Sequence, residues 1–229
     1  MMTGGQRLGF GVYSATEAAR LVGLHPDRVR RWVQGYEYLY AGERKRATPV
    51  VIREDRRDLT FADLVEVLFV RAFLEHGVTM PVIRKASTAA KELFGVSRPF
   101  SLKRFETDGR SIFARIGSDS HEDVVLDLAK RQHVFARVIQ PYMKQLDYEN
   151  DVAARWWPLG KQEPIVVDPK RAFGAPITAH EGIPTHVLYN AVQAGQSEQQ
   201  VANWFEVSLD AVQAAVRFEA NKGSKRLAA

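Results

Sequence analysis

Residues 14 to 32 constrain this chain more than any other stretch. Ser14 stands three positions ahead of Glu17, the spacing of a capping box in which each side chain satisfies an orphan backbone donor. Ala18, Leu21 and Val22 then share one helical face. Gly23 can take the left-handed conformation that ends a helix. Leu24 fills the angle that follows, His25 caps a second helix, and Pro26 suits its first turn because no donor is lost there. Val29 and Trp32 turn inward at helical spacing. Asp27, Arg28 and Arg31 face out, with Arg30 toward the flank. The pattern predicts a helix-turn-helix whose second helix is basic.

Such a helix can lie in a major groove, where guanidinium groups bond a guanine edge or clamp phosphates. The plainer alternative is a pair of amphipathic helices with a solvated arginine face. Charge favours the first. From Arg20 to Arg57, ten cations stand against five carboxylates, and this excess equals the formal net charge of +5 for all 229 residues. The rest of the chain is balanced, so the positive excess sits where phosphate binding would need it.

Composition closes other routes. Hydrophobic residues make up 45% and charged residues 26%, which fits a globular chain of one to three domains. Without cysteine there is no disulfide, thiolate nucleophile or cysteine-ligated metal, in keeping with a reducing, cytoplasmic setting. Met1 to Phe10 lacks the apolar core of a signal peptide. Glu66, Arg71 and Glu75 interrupt the most apolar stretch, so no membrane span is expected.

After Trp32, the alternation Tyr36, Tyr38, Tyr40 reads as a strand, with Val50 to Ile52 as its partner and Ala41 to Ala47 as a wing loop carrying Arg44, Lys45 and Arg46. Thr60 caps a helix running to about His76, with Asp63 in its first turn. That helix is apolar on most sides and must be covered on most sides, by its own domain or by a dimer partner. Gly77 ends it, and Val78-Thr79-Met80-Pro81 opens another, reaching about Phe94.

Residues 12 to 94 resemble the DNA-binding head of the MerR family. The resemblance lies in Tyr13-Ser14-Ala15-Thr16-Glu17, Arg30 with Trp32, the wing, the run from Leu59 to Val78, and Ile83-Arg84-Lys85-Ala86. It implies that Arg30 contacts the DNA backbone and that the residues ahead of it face bases. Ser14, Asp27, Arg28, Arg30, Arg31, Arg44, Lys45 and Arg46 are therefore the candidate DNA-binding residues. Double-stranded operator DNA is the expected partner, bound by a homodimer because such readers usually occupy paired half-sites.

The segment from Leu102 to Ile116 reads as a β-hairpin turning at Asp108-Gly109, a favoured turn pair. Val124 to Leu128 is a short apolar run, and Lys130 to about Leu146 is helical up to a stop or kink at Pro141. Of the adjacent Trp156 and Trp157, one is expected to plug a core and the other to cover a seam. Ile165 to Val167 is a strand ended by Asp168-Pro169. Pro184, Ser197 and Ser208 open three helices, a second helix-turn-helix-like unit. Its outward Asp210, Gln213 and Arg217 are nearly neutral, which suits protein contact better than phosphate.

The phrases Trp156-Trp157-Pro158-Leu159-Gly160, Ile165 to Pro169, Phe173 to Thr178 and Gly182 to Thr185 resemble antitoxins of the VapB type. This implies a PIN-type ribonuclease toxin as partner, neutralised by direct binding, and repression of the operon that encodes the pair. PIN toxins hold metal in an acidic pocket, so Lys222, Lys225 and Arg226, on an expected flexible tail, are candidate toxin-binding residues. The alternative is a ligand-responsive regulator of MerR-like form without a toxin, with a pocket in residues 96 to 160.

No helical metal motif, phosphate-binding glycine loop or nucleophile elbow occurs. His121-Glu122-Asp123 and His180-Glu181 are weak metal or proton-transfer patterns at best, so no enzyme activity, metal or cofactor is expected. The expected fold is mainly α with small β elements. It comprises a winged helix-turn-helix head (1–95), a central α+β segment with a hairpin (96–155), a helical antitoxin-type domain (156–222) and a tail (223–229).

Overall fold

The computed structural model describes residues 11–52, 58–117 and 132–224. The chain is mainly α with small antiparallel sheets, as expected. The head opens with β1 (Val12–Tyr13), α1 (Ala15–Val22) and α2 (Pro26–Gln34). A hairpin of β2 (Tyr36–Tyr40) and β3 (Glu43–Ala47) follows, then β4 (Leu59–Thr60), α3 (Phe61–Glu75) and α4 (Met80–Phe94). β4 pairs with β1, Tyr13 facing Leu59, which ties the start of the head to the root of α3.

Eleven of the fifteen residues of α3 are buried, so it needs cover on nearly every side. α1, α4 and the central helix α6 (Gln132–Lys144) supply that cover within one chain. Thr60 caps its start, as expected, and Asp63, in the first turn, completes a reciprocal capping box with it. The Asp63 carboxylate is also bound by Arg98 at 2.6 Å, which compensates a charge that is almost wholly buried.

The expected hairpin from Leu102 to Ile116 is not formed. Residues Phe105–Gly117 make helix α5 instead. Phe105, Ile112, Phe113 and Ile116 recur at helical spacing and are buried. Phe105 meets Phe69, Phe73 and Phe100, and Phe113 meets Phe73. Burying each large side chain contributes roughly 1.5–3 kcal/mol. Against several of these, a mid-helix glycine costs only about 1 kcal/mol, so Asp108-Gly109 is overruled.

The central hairpin lies further on, in β5 (Leu146–Glu149) and β6 (Val152–Trp156). Its turn is Asn150-Asp151, both at positive φ (49° and 70°), which suits a two-residue hairpin loop. α6 runs through Pro141 to Lys144 rather than stopping there. The run Val124 to Leu128 lies outside the described residues.

β6 pairs onward to β7 (Ile165–Val167), and β7 to β8 (Pro176–Thr178), giving one four-stranded antiparallel sheet. Trp156 is buried within it, whereas Trp157 is half-buried and donates its indole N–H to Asp147 at 2.8 Å. Helices α7 (Thr185–Gln193), α8 (Glu198–Trp204) and α9 (Leu209–Ser224) follow, packed around Leu188, Val201, Val212 and Phe218. Ser197 and Ser208 accept from backbone N–H groups at the starts of α8 and α9.

Candidate nucleic-acid interface

The joint between α1 and α2 is built by its caps. Ser14 Oγ accepts from the Glu17 N–H at 3.1 Å, and the Ser14 N–H donates to Glu17 Oε2 at 2.7 Å. Gly23 adopts φ 67°. His25 Nδ1 accepts from the Asp27 N–H at 3.3 Å, and Pro26 begins α2. Behind the joint, Arg71 of α3 donates to the carbonyl of Val22 and pairs with Glu75 at 2.7 Å, clamping the end of α1. Val29, Trp32 and Val33 are buried, so the opposite face of α2 is turned to solvent.

On that face Arg28 and Arg31 are exposed. Arg30 is partly engaged by the protein. It binds Asp27 at 2.5 Å and reaches Thr16 Oγ1 of α1 at 3.3 Å. This bridge links the two helices and pairs the Asp27 charge within the protein. Ser14 is spent on its cap, with its side chain facing the first turn of α1.

The wing differs from expectation. β3 pairs with β2 through the two-residue turn Ala41-Gly42, both at positive φ (51° and 82°). Arg44, Lys45 and Arg46 are therefore strand residues, not loop residues. Val50 and Val51, expected to pair with the tyrosine strand, are buried and donate their N–H groups to the carbonyl of Trp32 at 2.9 and 3.1 Å. Two apolar residues with buried backbone donors gain more from the core than from an exposed strand edge.

Pairing across the wing sorts its chemistry by face. Tyr36, Tyr38 and Tyr40 lie opposite Ala47, Lys45 and Glu43, while Glu37 and Leu39 lie opposite Arg46 and Arg44. Tyr36 and Tyr38 touch at 5.9 Å between ring centres. Lys45 Nζ sits 4.5 Å from the Tyr40 ring centre, and the Arg31 guanidinium carbon 5.5 Å from that of Tyr36. Cations over aromatic faces are attracted by the ring quadrupole. A tract of alternating cations and rings thus runs from α2 along one side of the wing, with Arg44 and Arg46 on the other.

Gly35 makes the sharp exit from α2 into the wing possible. Its φ is 75°, and a Cβ there would lie 2.4 Å from the Ala47 carbonyl oxygen.

Residues 13–90 match the family described as MerR HTH family regulatory protein. The head is of MerR type. Residues 165–218 match a family described as a protein of unknown function, DUF433. Over 217 residues the chain is 25% identical to a Mycobacterium tuberculosis protein provisionally named as the antitoxin VapB45, an alignment covering 87% of this chain and 90% of that one. The chain is thus VapB-like along most of its length, with a helix-turn-helix head. The crystal structure of Rv2018 from Mycobacterium tuberculosis shares the fold, with a TM-score of 0.67 at 20% identity over 89% of this chain and 96% of that one.

The expected toxin contacts fare differently from the head. Lys222 does not lie on a tail, because α9 continues to Ser224. Its ammonium is largely covered, pairs with Glu219 at 2.8 Å and sits 4.1 Å from the Phe218 ring centre. Burial lowers its pKa, against the pull of Glu219. Phe218 and Glu219 lie one turn back on the same helix, so a helical Lys222 folds onto them instead of projecting. Lys225 and Arg226 lie outside the described residues, as does His121-Glu122-Asp123. Among the described residues no cluster of three or more His, Asp or Glu side chains could hold a metal, and no helix is long and apolar enough to cross a membrane.

Two exposed aromatic side chains outside the head carry no signal that periodicity could reveal. Trp204 is 64% exposed at the end of α8, and Phe173 is 76% exposed. Phe173 stands in a loop where Ala172, Phe173 and Gly174 all have positive φ (45°, 54° and 81°). Non-glycine residues held in that region cost of order 1 kcal/mol or more each, and such strain gathers at functional loops.

Proposed function

We propose that this chain is the antitoxin of a type II toxin–antitoxin pair, acting in the cytoplasm in two ways. It represses its own operon by binding operator DNA as a homodimer, and it neutralises a PIN-type ribonuclease by direct binding. The carrying observation is the exposed cationic surface of α2 and the wing: Arg28 and Arg31 on the helix, Lys45 on the tyrosine face of the hairpin, and Arg44 and Arg46 on its other face. On this reading, Arg28 and Arg31 enter the major groove, with Asp27 at the groove edge. Arg30 and the capped end at Ser14 face the phosphate backbone, and the wing cations bind phosphates beside the groove.

The likeness to VapB45 supports the toxin-binding half. Phe173 and Trp204 are the proposed apolar anchors, since a few exposed aromatics usually carry most of the energy of a protein interface. Lys225 and Arg226 are proposed to reach the toxin's acidic pocket.

The test is co-expression of the tagged chain with the product of the neighbouring gene, followed by pull-down and a mobility-shift assay on the upstream DNA. Co-purification with a retained shift is expected. A shift without a bound neighbour would overturn the toxin half and leave a regulator of another kind. No shift at low salt would overturn the DNA half.

A further inference from the structure

A cleft of about 500 Å³ opens between the head and the C-terminal helix. Its walls come from four distant segments: the end of α1, the middle of α3, the α6–β6 region and the end of α9. The volume lies within the range of small-molecule sites, which favour seams between packed units. It is not the pocket of residues 96 to 160 suggested by the sequence. Only one wall comes from there.

The chemistry of its lining is one-sided. Leu68, Trp156, Leu159 and Phe218 provide apolar surface, whereas Arg20, Arg71 and Lys222 bring three cations; the neighbouring carboxylates, Glu17 and Glu219, line the adjoining pocket on the far side of Arg20 and Lys222 and not the cleft itself. Arg71 is held by Glu75, and Lys222 by Glu219, both from outside the lining. Arg20 makes no side-chain hydrogen bond or ion pair with any described residue. It stands near enough to Lys222 for the two charges to oppose each other, which adds to the effect of burial in lowering the Lys222 pKa. Glu219 already offsets the Lys222 charge at 2.8 Å, so the unmatched positive charge at the cleft lies on Arg20. Two neutral donors, the side-chain amides of Gln145 and Asn221, also line the space. Gln145 uses its oxygen to accept from the Trp156 indole at 3.3 Å, leaving its NH₂ group to donate.

We infer that this cleft binds a small organic anion, with a carboxylate, sulfonate or phosphate between Arg20 and Lys222 and an aromatic or branched apolar body against Trp156, Leu159 and Phe218. Its occupant bridges α1 to α9. It would touch the element whose carbonyl at Val22 Arg71 already holds, one turn before the recognition helix. The site stands whether or not the chain has a toxin partner.

The probe is 1-anilinonaphthalene-8-sulfonate, compared with N-phenyl-1-naphthylamine, the same ring system without the sulfonate. Fluorescence titration of the full chain should give saturable one-to-one binding of the sulfonate. Its affinity should exceed that of the neutral dye by about tenfold. In Arg20→Gln/Lys222→Gln the advantage should vanish. Leu159→Trp, which fills the cleft and keeps its charges, should lose both dyes. Equal affinity for the two dyes in the unaltered chain, or an advantage that survives the double substitution, overturns the inference. If circular dichroism shows the double variant unfolded, Arg20→Gln alone decides, because that exposed side chain has no folding partner to lose. An unchanged advantage in that single variant overturns the inference as well.

Discussion

The hydroxyl of Tyr13 donates to the carbonyl oxygen of Gly174 at 2.9 Å, across 161 positions of the chain. It bonds the first strand of the head to the strained loop that presents Phe173. The Gly11 N–H adds a bond to the Pro169 carbonyl at 3.1 Å. Burial raises the phenol pKa, so Tyr13 stays a donor throughout the usable pH range. Tyr13→Phe leaves a buried acceptor unpaired and should cost about 1–3 kcal/mol by urea unfolding. Gly174→Ala should cost at least as much, because its Cβ would lie 2.2 Å from the Tyr13 oxygen. Unchanged unfolding midpoints in both variants would show that the loop and the head are not coupled here.

Gly35→Ala tests the wing. The clash with the Ala47 carbonyl must be relieved by moving β3, which carries three of the proposed DNA contacts. DNA affinity should fall about tenfold or more, the loss expected when several phosphate contacts are displaced. Thermal stability should fall less than for a core substitution, since most of the wing is exposed. Full DNA affinity in a folded variant would remove the wing from the interface.

Arg28→Ala and Arg31→Ala separate two kinds of contact. A phosphate contact should lower affinity on all sequences alike and reduce the slope of log affinity against log salt by about 1. A base contact should cost about 1–3 kcal/mol on the operator and little on unrelated DNA. Fluorescence anisotropy on both DNAs at several salt concentrations distinguishes them. No loss in either variant on either DNA would place the recognition surface elsewhere.

Glu66 makes the stability of the head depend on pH. Its carboxylate is buried in α3 and accepts from the Ser101 N–H at 2.9 Å. Burial pushes its pKa up from 4.5 to about 8, with Ser101 and then Lys91 pulling the other way and Asp63 adding a smaller upward push. The folded protein therefore holds this proton more tightly than the unfolded chain does. The contribution is fully present below pH 4.5, declines as pH rises between 4.5 and 8, and is lost above. Glu66→Gln keeps an acceptor for Ser101 and removes the charge. It should flatten the dependence of unfolding free energy on pH across that window and be more stable than the parent at pH 8. Identical pH profiles would show that Glu66 ionises as freely as an exposed carboxylate.

Phe173→Ala should weaken the complex with the toxin by about 2 kcal/mol, the scale of an interface anchor, and leave operator binding unchanged. Calorimetry on the co-purified pair and anisotropy on the DNA give the two readings. An undiminished complex would point to Trp204 or the tail as the principal contact.

The sequence by itself determined the elements that are specified locally. Ser14 with Glu17, Gly23, His25 and Pro26 define the helix-turn-helix because each acts on backbone groups within a few residues. Thr60 with Asp63 does the same for α3. The arginines of α2 were legible as a surface because Val29 and Trp32 claim the other face. Tertiary structure decided what depends on distant partners. Asp108-Gly109 favours a turn, but Phe69, Phe73 and Phe100 reward a helix that buries Phe105 and Phe113, and burial outweighs the local preference. The same logic drew Val50 and Val51 beneath Trp32, left Ala41-Gly42 to close the wing, and folded Lys222 back onto α9. The cation-lined cleft could not be read locally at all. Arg20, Arg71 and Lys222 are dispersed along the chain, and only the packing of α1, α3 and α9 brings their charges to one apolar seam.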